Sequence, residues 1–426
     1  MGGDGIGKRR TTDVHADERA GTDSRPAIAV IANSLAPYRV HLQRRIAREL
    51  PEVRLSTVFT HEESNSPWAF DPPREIGPVS FGAGQSSRDQ SALRHALREW
   101  RKGGAIIEWL RDKDIAAVVL GGYNDLGRLR IIRWCRRQGV PCFLSGDSNV
   151  KGDAVTGPKD LAKRAIVGRI VRSCFGAMPF GSLGRAYFEK YGADPDRIFP
   201  FPCEPDYALI ERLRDVEIEA TRRRFDLSPA RRRIVFSGRL APVKRVDLLI
   251  DAFVVIAGER PAWDLVVVGG GPLADDLHGR VPAPLRERVR FTGFLDEPAT
   301  VGALYRLSDV LVLPSDAEPW ALVVNEAAAA GLAVVCSDVV GAGAELVREG
   351  VNGRIFPRGD ADALAHCLRD VTSETRIDAM KACSRGVLED WRRRGDPVEG
   401  LRRALVACGV LSPPAAVQPE PRAACS

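Results

Sequence analysis

What most constrains this chain is an alternation that runs twice. Short runs of Val, Ile, Leu and Ala are each followed by a longer amphipathic stretch, first between 27 and 148 and again from 231 onward. The first set reads AIAVIAN (27–33), HLQRRIAREL (41–50), VRLSTVFT (53–60), LREWRKGGAIIEWLRDK (97–113), IAAVVLGGY (115–123), LRIIRWCRRQG (129–139) and VPCFLSGDS (140–148). The second restarts at RRRIVFSGRL (231–240) and continues through VDLLIDAFVVIAG, WDLVVVGGGP, VRFTGFL, VLVLPS and AVVCSD. Strands this uniformly apolar are buried on both faces, with the intervening helices as cover, so each set predicts a parallel, doubly wound α/β sheet. A chain of 426 residues also exceeds what one core organises. The expected division is a Rossmann-like domain over 25–205 and another over 206–411, facing a central cleft, with disordered segments at 1–24 and 412–426. Ligands of such sheets bind beyond the carboxyl ends of the strands, so the loops there are where chemistry is sought.

Composition narrows the partners. The net charge of +6 suits anionic small molecules or an anionic membrane surface and is too diffuse to indicate nucleic acid. The nine cysteines form no CxxC pair and no zinc-like Cys/His spacing, which reads as reduced thiols in a cytoplasmic protein. No run approaches the about 18 apolar residues of a membrane span. The first 24 residues, polar and glycine-rich, lack the apolar segment of a signal peptide.

Three strand-end loops of the second half suit a phosphate. In SGRLAPVKR, Arg239 and Lys244 lie five apart after the Gly238 turn, so both can reach one anion, the first by its fork and the second as a point charge. Read alone, they are equally a pair of solvated cations. GGGP at 269–272 lets a backbone come close at Gly270 and Gly271, though a glycine cluster at a strand end is often only a turn. The third loop, EPWALVVNE at 318–326, places Pro319 at the first turn of a helix running to Gly331. Its free amides near Ala321, Leu322 and Val323 make an anion site. Glu326 then falls about one and a half turns inside, among Val and Ala, where a carboxylate is costly unless something satisfies it. A dipole-favoured or backbone-bonded glutamate is the plain alternative.

Together these segments resemble a family. Glu318 and Glu326 with seven residues between, the following AAAAG and VVGAGAELVREGVNG, and SGRLAPVK and VVGGGP upstream are similar in order and spacing to the retaining GT-B glycosyltransferases of family GT4. The likeness is strong over about 230–360. In the first half, NSLAPYR (33–39) and GSLGRAYFEKYGADPDRIFPFPCEPD resemble the opening loop and the domain end of many members. The resemblance implies the GT-B architecture and a metal-independent enzyme that needs no cofactor and takes its sugar from a UDP- or GDP-linked donor. It implies that Arg239 and Lys244 hold the diphosphate, with Gly238, Gly270 and Gly271 beside it. Glu318 would bond donor-sugar hydroxyls and Glu326 the ribose. The amides of Ala321, Leu322 and Val323 would cradle phosphate, and Gly293, Phe294 and Leu295 would lie against the base. The acceptor, a glycan or lipid-linked hydroxyl compound of cell-surface polysaccharide assembly, would bind the first domain. Two departures stand out: Ala321 replaces the glycine of many members, and NSLAPYR replaces their glycine-rich phosphate loop.

On the acceptor side, Arg39, His41 and Asp147 are candidates. His41 opens a helix where a solvated reading serves as well, and Asp147 in FLSGDSN reads equally as a capping aspartate. KDLAKRAIVGRIVRSCFG (159–176) mixes five basic with five aliphatic residues at helical spacing, which suits either anionic lipid or an ordinary packed helix. Rival readings are a nucleotide-sugar-binding protein without turnover and a GT-B sugar-nucleotide epimerase. A nicotinamide enzyme is disfavoured, because no GxGxxG follows the first strand.

Overall fold

The computed structural model describes residues 23–62, 72–87, 90–153 and 155–413. Most of both terminal segments expected to be disordered, 1–22 and 414–426, therefore lies outside the described residues. The first half holds strands β1 (Ala27–Ala32), β2 (Arg54–Phe59), β3 (Pro78–Ser80), β4 (Ile115–Gly121), β5 (Cys142–Gly146) and β6 (Gly176–Pro179). They pair in parallel in the order β3-β2-β1-β4-β5-β6. Helices α1 (Pro37–Glu49), α2 (Ala96–Asp112), α3 (Leu126–Gln138), α4 (Pro158–Val171) and α5 (Ser182–Lys190) connect them.

The strand period of two decides the layering. In β1, Ile28 and Val30 point to a core with Leu42 and Ile46 of α1. Ala27, Ala29 and Ile31 point to the opposite core, with Ile106 and Leu110 of α2 and Ile131 of α3. That is why the run carries no polar residue on either face.

The second half begins with helices α6 (Ala208–Glu211) and α7 (Asp215–Arg224). Its strands are β7 (Arg232–Ser237), β8 (Trp263–Val268), β9 (Val289–Gly293), β10 (Val310–Leu313), β11 (Ala333–Ser337) and β12 (Gly353–Phe356). Their order is β12-β11-β10-β7-β8-β9, again all parallel. The remaining helices are α8 (Val246–Ile256), α9 (Ala274–Arg280), α10 (Pro298–Arg306), α11 (Leu322–Ala330), α12 (Gly343–Leu346), α13 (Ala361–Val371), α14 (Ile377–Arg394) and α15 (Pro397–Ala407).

Strand order reverses between β1 and β4 in one sheet and between β7 and β10 in the other. A doubly wound sheet opens a crevice at that place. Asn33 and the Gly122–Asn124 loop stand over the first; Gly238, Arg239 and the loop ending at Glu318 stand over the second.

Four expectations need correction. Helix α15 packs Val398, Leu401, Ala404 and Leu405 against the first sheet, so a second domain running unbroken over 206–411 does not describe the packing. Helix α1 opens at Pro37 rather than 41, because proline suits the first helical position. Helix α11 starts at Leu322, leaving Pro319 outside; Ala321 takes φ of 82°, which a continuing helix does not allow. The basic segment 159–176 is helical only over Pro158–Val171 before the chain turns into β6.

Candidate functional site

The two halves face each other across two cavities that meet at Tyr38 and Leu322. The smaller, about 590 Å³, is lined from the first half by Asn33, Arg39, Tyr123 and Asp147, and from the second by Glu318 and Ala321. The larger, about 1100 Å³, brings His41 of α1 opposite Phe294, Leu295, Val323 and Glu326.

Loop packing positions the second-half residues. Gly238 donates to the Val268 carbonyl at 3.0 Å and Leu240 to the Gly270 carbonyl at 2.9 Å, so loops 238–240 and 269–271 lie backbone against backbone. A Cβ on Gly269 would stand 2.0 Å from the Gly238 oxygen, and one on Gly271 would stand 2.4 Å from the Leu240 oxygen. The close approach that this glycine run permits is thus to the neighbouring loop. Gly270 is limited by Phe294, whose Cβ would be 3.3 Å from an added one. Gly238, Gly270, Gly271 and Gly293 support the walls of the cavities rather than line them.

Arg239 is exposed, and its side chain makes no ion pair or hydrogen bond among the described residues; its carbonyl takes the Ala241 amide at 2.9 Å. Lys244, half-buried, pairs with Glu318, whose Oε2 also takes the Ser315 hydroxyl at 3.3 Å. One free cation, one cation–carboxylate pair and the open end of α11 therefore stand around one switch point. The first-turn amides of α11, at Leu322 and Val323, lack the carbonyl four residues behind that a later turn would supply.

Glu326 is half-buried, and the Tyr305 hydroxyl donates to its Oε2 at 3.0 Å. Burial raises its pKa above the ordinary carboxylate value, against the opposing effect of that hydrogen bond. Ionised, it is a strong acceptor that the fold satisfies only in part.

On the other side, Arg39 donates to the Ser34 carbonyl at 2.7 Å and stays on the wall of the smaller cavity. Asp147 is exposed at the end of β5. His41 lies between Glu204 at 3.9 Å and Asp206 at 3.7 Å, so it faces the carboxylates of the linker as well as the larger cavity; burial lowers its pKa. Arg39 and Asp147 thus meet Glu318 in one cavity, while His41 belongs to the other.

Sequence reasoning missed Asn149, Tyr305 and Trp320. Asn149 Nδ2 bonds the carbonyls of Glu318 (3.1 Å), Pro319 (3.3 Å) and Val339 (3.1 Å), fixing the acidic loop from the opposite half. Trp320 packs edge-on to Phe180 at 6.0 Å. Only the run of two large apolar residues after Glu318 hinted at Trp320; nothing local marks the other two.

Comparisons with known proteins bear on the second half and on the fold. Residues 231–374 match the family described as Glycosyl transferases group 1. A D-inositol 3-phosphate glycosyltransferase of Rhodococcus erythropolis is 31% identical over 235 residues, 52% of this chain and 52% of that protein. The protein of the same description from Corynebacterium glutamicum is 34% identical over 200 residues, 44% of this chain and 46% of that one. The chain spans about half the length of the curated relatives it matches. Among solved structures, Anabaena HepE in complex with UDP and glucose superposes with a TM-score of 0.67 at 16% identity, over 91% of this chain and 100% of that one. Sucrose-phosphate synthase from Thermosynechococcus elongatus gives 0.70 at 18% identity, over 90% of this chain and 100% of that one. At such identities the likeness speaks to the fold, which is GT-B.

Proposed function

We propose that this chain, whose residues 231–374 are a glycosyl transferases group 1 domain set in a GT-B fold, moves a sugar from a nucleoside diphosphate donor to an acceptor hydroxyl. The observation that carries the reading is the grouping of Arg239, the Lys244–Glu318 pair and the open end of α11 at one switch point, with Glu326 further along the same helix. Arg239, Lys244 and the α11 amides take the diphosphate. Glu318 accepts from hydroxyls of the donor sugar, Glu326 from the ribose, and Phe294 and Leu295 lie against the base. UDP is the first nucleoside diphosphate to test, since HepE was solved with it.

In the step proposed, the acceptor oxygen bonds to the anomeric carbon as the bond from that carbon to phosphate breaks. The acceptor proton passes to the leaving phosphate on the same face, so configuration is retained. Negative charge grows on the phosphate, where fixed cations and amide dipoles stabilise it without reorganising. Because Lys244 engages Glu318, that carboxylate serves binding rather than attack on carbon. No divalent metal is required in this scheme, and the acceptor belongs to cell-surface glycan or lipid-linked assembly at the inner face of a membrane.

The test is a thermal-shift panel of UDP, GDP, ADP and dTDP in EDTA on wild type and Arg239→Ala. A nucleotide at about 100 times its Kd adds roughly 2.7 kcal/mol of stability. One diphosphate should raise the wild-type Tm in EDTA and act much less on the variant. No response from any of them would reject the reading. An inverted anomeric product by NMR would reject retention alone.

A further inference from the structure

β1 ends where its sheet reverses direction, and Asn33 is the first residue beyond it. Beneath Asn33 lies a set of ionisable and polar groups shut away from water: Thr60, His61, Glu99, Lys102, Asp125 and Arg128. The pairs Glu99/Lys102 and Asp125/Arg128 each sit three apart on the sequence, so each acid and base share one side of the backbone. Lys102 Nζ donates to the Thr60 carbonyl at 2.8 Å and reaches Glu99 at 2.9 Å and His61 Nε2 at 3.2 Å. A donor at Nε2 leaves the His61 proton on Nδ1, which faces the Thr60 hydroxyl at 2.9 Å. The His61 amide holds the Asn33 carbonyl at 2.7 Å.

Arg128 completes the set. It donates to the Gly121 carbonyl at 2.8 Å, to Asp125, to the Thr60 hydroxyl at 3.2 Å and to Asn33 Oδ1. A guanidinium has donors and no acceptor, so the amide atom of Asn33 that meets it is the oxygen, and the NH₂ is forced the other way. The other way is the smaller cavity, whose wall Asn33 forms together with Asp147 and Glu318. Among the described residues nothing accepts a hydrogen bond from Asn33 Nδ2. So many buried charges are costly to assemble, and what they fix is one orientation of one donor on the cavity wall.

We infer that Asn33 binds the acceptor, donating from Nδ2 to an oxygen of a polyhydroxylated molecule whose neighbouring hydroxyl donates to Asp147, and that Arg128 is the residue that positions it. This rests on the reading that the first half receives a hydroxyl acceptor. Donor and acceptor groups side by side suit a sugar or cyclitol, whose adjacent hydroxyls each give and take a hydrogen bond.

Asn33→Asp separates this from a structural role. The carboxylate keeps an oxygen for Arg128 and puts a charged oxygen that cannot donate in place of the NH₂ that faces the cavity. Binding of methyl α-D-glucoside, methyl α-D-mannoside, methyl α-D-galactoside and myo-inositol is measured by calorimetry with UDP saturating. At least one probe is expected to bind wild type and to lose tenfold or more in affinity in Asn33→Asp, while the UDP thermal shift is unchanged. Asn33→Ala serves the same reading should the aspartate melt early. Equal probe affinity in variant and wild type overturns the inference. So does a wild type that responds to UDP and to none of the probes, which leaves the nucleotide reading intact. A wild type that ignores UDP removes the premise, and the inference with it.

Discussion

Glu326 carries two opposed demands. Among Val324 and the alanines of α11, with Tyr305 donating to it, its carboxyl is held above the ordinary pKa of 4.5, chiefly by burial. An acid whose folded pKa exceeds its unfolded value costs the fold stability once ionised. That cost is present above the folded pKa and vanishes as pH falls through it toward 4.5. Glu326→Gln deletes the charge and keeps an oxygen for Tyr305. The free protein is expected to melt higher than wild type at pH 7.5, the gain shrinking toward pH 4.5, while UDP stabilises it less. Calorimetric melts at both pH values, with and without UDP, check this; a lower Tm with an unchanged UDP shift would refute it. Glu318 and Glu326 were legible because acids are conspicuous in an apolar run. Tyr305 and Asn149 were not, since their partners lie 21 and 169 residues away and no local periodicity reports such pairings. The positive φ of Ala321 was marked only by the resemblance, in which many members carry glycine there; the alanine itself gives no sign of it.

Elements follow the same logic at longer range. The alternation fixed strand and helix identity, because a two-sided apolar run and an amphipathic stretch differ in period. It missed β3, β6 and β12, edge strands of three or four residues that are too short to show a period. It assigned α15 to the nearer sheet, because an amphipathic face says that something covers it and not what. Helix α4 illustrates the opposite case. Val167 and Val171 are buried with Tyr187 and Phe188, and Lys163 is tied to Asp153, yet Leu161 stays 70% and Ile166 64% exposed beside Lys159, Arg164 and Arg169. We propose that this outer face rests on anionic lipid. Burying two such side chains is worth about 1.5–3 kcal/mol each, so Leu161→Gln with Ile166→Gln should weaken vesicle binding by roughly tenfold or more. Exposed sites of this kind leave folding stability within about 0.5 kcal/mol. Co-sedimentation with phosphatidylglycerol vesicles reads the difference, and a wild type that stays in the supernatant would end the proposal.

At the scale of the molecule, the two sheets are joined on both sides of the cavities. On one side α15 returns to the first sheet, and Arg45 bonds Glu204 of the linker and, at 2.7 Å, Asp396. On the other, Lys151 meets Asp338 at 2.8 Å, and the Ser182 amide donates to Glu345 at 2.6 Å. Asn149 alone among these reaches the backbone of the loop that carries Glu318. Asn149 is expected to act as a latch opposite the covalent linker, so that its loss lets the halves move apart. Asn149→Ala leaves the Pro319 and Val339 carbonyls without a partner among the described residues, while the Glu318 carbonyl keeps the Gly341 amide at 3.2 Å. An unsatisfied buried carbonyl costs about 1–3 kcal/mol if the halves remain closed, and opening them to water avoids that cost. The variant should therefore relieve the penalty by moving. Its radius of gyration from solution scattering is expected to exceed that of wild type, with a modest fall in Tm. Saturating UDP, which the proposed function places on the second half, should leave the difference largely in place. An unchanged radius together with a large loss of stability would mean that the halves are held rigidly by the other contacts, and that Asn149 is structural rather than a latch.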